Sequence, residues 1–163
     1  MSVAWRFAPF AELTPREVHD LYRLRAAVFV VEQKCAFQDV DGADPPSWHL
    51  LGYEKDELVA YSRLVPAGIK FAEPSIGRVI TAIEVRRTGL GKTLMIETLK
   101  RAEKLWPNRP IRIGAQQRLE RFYRDFGFVT ASAPYDEDGI QHVEMLRPAS
   151  TIPDKAAQLA GQK

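Results

Sequence analysis

The chain has 163 residues, of which 45% are apolar and 27% charged, and its formal net charge is +2. This composition is typical of one folded domain, and it argues against a disordered chain or a dedicated nucleic-acid binder. The single cysteine, Cys35, excludes an internal disulfide, and the first residues lack the apolar segment of a signal peptide. We therefore expect a cytoplasmic protein with no nucleic-acid and no membrane partner.

The predicted elements begin with a strand at 3–7 and a helix with a well-marked start. Thr14 and Glu17 have capping-box spacing, with Pro15 at the first helical position. Apolar residues then recur at helical spacing up to Phe29. A polar, acidic loop follows at 33–46. Strands at 49–54 and 57–65 are predicted to form a hairpin that turns at 55–56.

The second half of the chain alternates strands and helices. The patterns predict a strand at 76–84, a helix at 89–105, a strand at 111–114 and a helix at 116–126 that ends at Gly127. Strands at 128–131 and 140–146 flank a predicted acidic turn at 135–139. This order predicts a single α/β (α+β) domain at 1–149, with a mixed sheet flanked by helices, and a flexible tail at 150–163.

Two glycines stand where a predicted strand meets the helix at 89–105. The first turn of a helix presents unpaired N–H groups to an anion, and glycine lets a phosphate come close to them. Neighbouring basic side chains add positive charge. The sequence therefore predicts a phosphate-binding loop made of Arg86, Arg87, Thr88, Gly89, Leu90, Gly91 and Lys92.

Three motifs compete for this loop. A dinucleotide fingerprint needs a third glycine where Leu94 stands, and a nucleotide P-loop needs a glycine where Arg86 stands. The third pattern, [QR]-x-x-G-x-[GA], is satisfied by 86–91 at every fixed position. It resembles the pyrophosphate loop of the GNAT superfamily of N-acetyltransferases. The simplest alternative is a helix start that carries two glycines without a ligand.

A second segment, at 114–128, is similar to the F-Y-x-x-x-G-F pattern of the same superfamily. In those enzymes two central strands splay apart and hold the thioester arm between them. The resemblance implies that the tyrosine Tyr123 protonates the departing CoA thiolate, a role that suits a phenol. It also implies that the pantetheine arm binds the backbone of Val79, Ile80 and Thr81.

Within the superfamily the chain most resembles the ElaA-type acetyltransferases, through the segments 24–33, 37–44, 56–63, 76–80, 114–116 and 137–140. The resemblance implies a GNAT fold and direct transfer of an acetyl group from acetyl-CoA to a primary amine. It implies no metal ion and allows a homodimer. One departure is Arg87, since many members carry glycine there.

The acceptor side is less clearly marked. Arg25 lies in the apolar stripe of the first helix, so we expect it to pair with Glu32, Asp39, Asp41 or Asp44, or to reach solvent. His49 has a side chain suited to a general base, although a structural histidine is the simpler interpretation. The predicted acceptor-binding residues are Arg25, Glu32 and His49.

Other functions stay open from the sequence. Arg25 and Phe29, followed by Asp41 and Asp44, also resemble the start of acyl-homoserine lactone synthases, which share the fold. A non-catalytic acetyl-CoA-binding module and a P-loop phosphotransferase are further alternatives. The acceptor, the general base and the oligomeric state are not predicted.

Overall fold

The computed structural model of the chain describes residues 2–149. Its strands are β1 (Ala4–Pro9), β2 (Trp48–Glu54), β3 (Glu57–Val65), β4 (Ser75–Thr81), β5 (Ile111–Gln116), β6 (Val129–Thr130), β7 (Tyr135–Glu137) and β8 (Ile140–Arg147). Its α-helices are α1 (Pro15–Arg25), α2 (Leu90–Leu105) and α3 (Glu120–Arg124). The predicted tail at 150–163 lies outside the described residues.

The strands form one sheet in the order β1-β2-β3-β4-β5-β8-β6, and β7 pairs with β8. Neighbouring strands are antiparallel except for β4 and β5, which run parallel. Within the described residues, the pairing of β4 with β5 is confined to Ser75 and Arg112. Because the two strands diverge beyond this pair, the prediction of a mixed, splayed sheet is confirmed.

Helix α1 begins as the sequence predicted. The Thr14 hydroxyl accepts a hydrogen bond from the Glu17 amide at 3.1 Å, and the Glu17 carboxylate accepts one from the Thr14 amide at 2.9 Å. The end differs from the prediction, because Ala26–Glu32 forms a π-helix rather than a continued α-helix. Wide turns of this kind are common at functional sites.

The core lies between β3 and the helices. Residues 58–65 of β3 are all buried, so this strand is covered on both faces. Helix α2 packs on the sheet through Leu90, Leu94, Met95, Thr98 and Ala102. Each large apolar side chain buried in this way stabilises the fold by about 1.5–3 kcal/mol. Within the contact, Thr98 and Ser62 share a hydrogen bond of 2.8 Å.

Three predicted elements are corrected by the structure. Strand β4 ends at Thr81. A 3-10 turn at Ile83–Val85 then precedes the predicted phosphate-binding loop at 86–92, which we call the glycine loop. The helix predicted at 116–126 is a 3-10 turn at Gln117–Leu119 followed by the short α3. The prediction of an acidic turn is wrong at Tyr135–Glu137. These residues form β7, because the backbone of β8 pairs with them. None of the described helices is long and apolar enough to cross a membrane.

Candidate active site

A cleft of 390 Å³ opens where β4 and β5 diverge. Its walls come from these strands, the π-helix and the loop after it, α3 and the β7–β8 hairpin. The backbone of two diverging strands is available to an extended ligand that enters between them. The polar residues that line the cleft include Gln33, Cys35, Asp41, Arg63, Lys70, Arg78, Gln116, Tyr123, Tyr135, Glu137, Asp138 and His142.

Tyr123 reaches the cleft from α3 and is 7% exposed. The ring is packed edge-on against Phe122 and Phe128, which hold its orientation. Its hydroxyl makes no hydrogen bond to any group of residues 2–149, and burial raises its pKa to about 12 despite the opposing charge of Arg118. The hydroxyl therefore keeps its proton at neutral pH and is available as a proton donor.

The glycine loop leads into the first turn of α2. Gly89 is the residue before the helix and has a left-handed φ of 86°, a conformation that glycine adopts without steric cost. Apart from its chain neighbours and the adjoining backbone of α2, a Cβ atom at Gly89 or Gly91 would meet no described atom within 4 Å. The amides at the start of α2 are therefore approachable, and together with the helix dipole they form an environment that favours an anion.

The basic residues of the loop are exposed, but one of them already has a partner. Arg86 forms a double ion pair with Glu32, in which Nη2 lies 2.7 Å from Oε2. Glu32 therefore pairs with Arg86 of the glycine loop and not with Arg25. Both oxygens of its carboxylate accept hydrogen bonds from Arg86. Arg87 has a left-handed φ of 64°, so an arginine occupies the backbone conformation for which glycine is best suited.

The predicted pantetheine contacts lie on the part of β4 that has left β5. Ile80 and Thr81 pair with Tyr61 and Ala60 of β3 on the opposite edge. Val79 lines the cleft. Since this stretch does not pair with β5, its edge is open to a ligand, and the pantetheine contact stays a prediction.

Beside the cleft lies a set of ion pairs that we call the arginine–aspartate network. It consists of Arg25, Arg63, Lys70, Arg78, Asp39, Asp41 and Asp44. Arg25 is fully buried and donates to Asp39 at 2.9 Å and to Asp44 at 2.7 Å, so the prediction that it pairs with nearby acidic residues is confirmed for these two. Arg25 does not line the cleft, but its partner Asp39 also binds Arg78, which does.

His49 is fully enclosed in the core. Its Nδ1 lies 2.6 Å from the Tyr61 hydroxyl and its Nε2 lies 3.0 Å from the Asp44 carbonyl. Burial lowers its pKa, which keeps the ring neutral. Because both ring nitrogens are bonded within the protein, the structure does not support His49 as an acceptor-binding residue. Its role is to support the loop that carries Asp44.

His142 lies on β8 and lines the cleft. Its Nδ1 is 2.8 Å from the Ile140 carbonyl, which can only accept, so Nδ1 carries the proton in the neutral ring. The other nitrogen, Nε2, lies 3.3 Å from the Glu137 carboxylate. Since Nδ1 is held by the carbonyl, Nε2 is the nitrogen that can exchange a proton, and a proton there would be paired with the Glu137 carboxylate.

No role was predicted from the sequence for Arg63, Arg78 or His142. The two arginines stand in otherwise apolar strand segments, and a buried guanidinium needs a carboxylate partner. Arg63 and Arg78 therefore need acidic partners for the same physical reason as Arg25. His142 carries no comparable local signal. Among residues 2–149, no group of three or more His, Cys, Asp or Glu side chains is arranged to hold a metal ion.

The sequence matches the family profile described as an acetyltransferase (GNAT) domain over residues 20–147. The chain belongs to the GNAT family. ElaA of Escherichia coli (strain K12) is 41% identical over 147 residues, which cover 89% of this chain and 96% of that protein. The predicted relationship to the GNAT superfamily and to ElaA is therefore confirmed.

Solved structures agree with this assignment. The crystal structure of Escherichia coli ElaA has a TM-score of 0.85 at 40% identity and covers 90% of this GNAT chain and 99% of its own. An acyl-CoA N-acyltransferase from Pseudomonas aeruginosa has a TM-score of 0.86 at 40% identity, with the same coverage. A CoA-dependent acyl-homoserine lactone synthase has a TM-score of 0.73 at 15% identity over 99% of this chain and 89% of its own, which shows a shared fold alone.

Proposed function

We propose that this GNAT protein transfers the acetyl group of acetyl-CoA directly to a primary amine. The observation that carries the proposal is the cleft between β4 and β5, with the proton-bearing hydroxyl of Tyr123 in its wall. The open first turn of α2 suits the diphosphate, with Arg86 to Lys92 around it, and the free edge at 79–81 suits the pantetheine arm.

The proposed reaction moves two protons and one acetyl group. The amine nitrogen attacks the thioester carbonyl carbon, and the carbon–sulfur bond breaks. The Tyr123 hydroxyl gives its proton to the departing thiolate and is reprotonated from solvent. The excess proton on the attacking nitrogen passes to Nε2 of His142, where the Glu137 carboxylate stabilises the resulting imidazolium. His142 then releases this proton to solvent, which balances the proton that solvent returns to Tyr123.

The direct test is a thiol-release assay with acetyl-CoA and a panel of primary amines. Amine-dependent release of CoA, with the acetylated amine identified by mass spectrometry, is the expected result. Binding of acetyl-CoA in calorimetry without any amine-dependent release would instead support a non-catalytic acetyl-CoA-binding module. Failure of acetyl-CoA to bind at all would refute the proposal.

Replacing His142 by glutamine is expected to lower kcat/KM for an alkylamine about a hundredfold, because general acid–base catalysis contributes at least this much. Hydroxylamine is unprotonated at neutral pH and needs less help from a base. It serves as the control acceptor, and its rate should fall much less. Equal losses for both acceptors would mean that His142 has a structural role only.

Replacing Gly91 by valine tests the phosphate loop. Valine is tolerated in a helix at least as well as glycine, and its side chain would fill the open space above the first turn of α2. We expect acetyl-CoA to bind at least tenfold more weakly, about 1.4 kcal/mol, as measured by calorimetry. Acetyl-pantetheine lacks the diphosphate and is the matched control ligand. Unchanged acetyl-CoA affinity would place the diphosphate elsewhere.

A further inference from the structure

Arg78 stands in an irregular part of β4. Between the pairs Tyr61–Ile80 and Arg63–Gly77, β4 has one residue more than β3, so Arg78 lies in a β-bulge. Its φ is 50°, in the left-handed region that arginine rarely adopts. Bulges redirect side chains, and strained backbone of this kind is found at ligand-binding positions.

The guanidinium of Arg78 is held on three sides. Its Nε donates to an Asp39 carboxylate oxygen at 2.8 Å, and Nη2 donates to the Asp39 carbonyl at 3.0 Å and to an Asp41 carboxylate oxygen at 3.4 Å. The rings of Phe29 and Phe37 each lie 5.7 Å from its central carbon. Nη1 makes no hydrogen bond to any residue in 2–149, and Arg78 lines the cleft. A fixed guanidinium with free N–H groups is suited to binding an anionic oxygen.

The charges around Arg78 do not balance. The arginine–aspartate network contains four cationic side chains and three carboxylates, an excess of one positive charge, and its most exposed cation is Lys70, at 41%. The network therefore has a positive local potential, and one negative group from a ligand would neutralise it. Elsewhere in the cleft wall, the β7–β8 hairpin carries Glu137 and Asp138 beside His142, which suits a protonated amine.

We infer that the amine accepted by this cleft also carries a carboxylate, which binds Nη1 of Arg78 while the amine faces His142. The acceptor class is therefore amino-acid-like. This inference rests on the proposed acetyl transfer for its chemistry, but the anion site can be tested by itself.

The test compares acids with their neutral amides. Wild-type protein is assayed with glycine, β-alanine and 4-aminobutyrate and with the amide of each. The amine of each amide is less basic than that of the acid and loses its proton more readily, so amine reactivity alone would favour the amides. We expect kcat/KM to favour at least one acid over its amide by 10-fold to 100-fold, the effect of one charge-assisted hydrogen bond. R78M should abolish the preference, and R78K should keep part of it.

The matched control is R112M. Arg112 resembles Arg78 in exposure, at 24% against 21%, and it also pairs with a carboxylate, but it does not line the cleft. This variant should keep the acid preference. Equal kcat/KM values for acids and amides in the wild type would overturn the inference and leave acetyl transfer intact. A preference for acids that survives in folded R78M would do the same.

A binding measurement covers the case in which no amine is acetylated. N-acetylglycine and N-acetylglycinamide are compared by ligand-observed NMR on the wild type and R78K. Binding of the acid alone, weakened in R78K, supports the anion site even if acetyl transfer is refuted. Equal binding of the two compounds, or binding of neither, counts against the anion site whatever the transfer assay shows.

Discussion

Replacing Asp44 by asparagine is expected to lower the free energy of unfolding by about 3–5 kcal/mol, since it leaves two buried cations without their shared carboxylate. Asp44 is fully buried, and one of its oxygens lies 2.7 Å from Arg25 Nη1 and 2.9 Å from Arg63 Nη1. Burial by itself would raise the pKa of Asp44, but hydrogen bonds and charge from Arg25 and Arg63 outweigh it and lower the pKa.

Urea unfolding of the wild type and D44N measures this loss. The control is E97Q, because Glu97 pairs with Lys100 and Arg101 of the same helix, the three side chains stay partly exposed to solvent, and such pairs contribute about 0–1 kcal/mol. The pKa of Asp44 is lowered in the folded state, so its contribution is complete above the ordinary aspartate value of about 4 and declines as the pH falls through the folded value. A D44N variant within 1 kcal/mol of the wild type would show that Asp44 is not needed for stability.

Replacing Tyr123 by phenylalanine is expected to lower kcat for acetyl transfer by about 10²–10⁴-fold, the range for loss of a positioned general acid. Phenylalanine keeps the packing against Phe122 and Phe128, so the fold and the affinity for acetyl-CoA should change little. Since burial raises the pKa of Tyr123 to about 12, its ionisation should not reduce wild-type activity below about pH 11.

Steady-state thiol release and calorimetry with acetyl-CoA separate these effects. The control is Y53F, since the Tyr53 hydroxyl donates to Asp20 at 2.9 Å and does not line the cleft. Its kcat should stay near that of the wild type. If Y123F keeps wild-type kcat, then solvent protonates the thiolate and Tyr123 only forms part of the wall.

Features that depend on neighbouring residues could be predicted from the chain alone. The capping box at Thr14 and Glu17 and the left-handed Gly127 are formed as predicted, because each involves residues only a few positions apart. The glycine loop before α2 belongs to the same class, since the first turn of a helix exposes its amides wherever the helix lies. Family membership followed from these short motifs together with the longer matching segments.

The partners of the buried charged groups required the tertiary structure. Arg25 had four candidate carboxylates by sequence, and folding pairs it with Asp39 and Asp44, which lie 14 and 19 residues away. Arg78 meets Asp39 across 39 residues, and no local pattern specifies that contact. His49 was a candidate for the acceptor side until its position between Tyr61 and the Asp44 carbonyl placed it in the core. Polarity and spacing show that a buried charge needs a partner, but which partner it meets depends on strand register and loop closure, and these are properties of the whole fold.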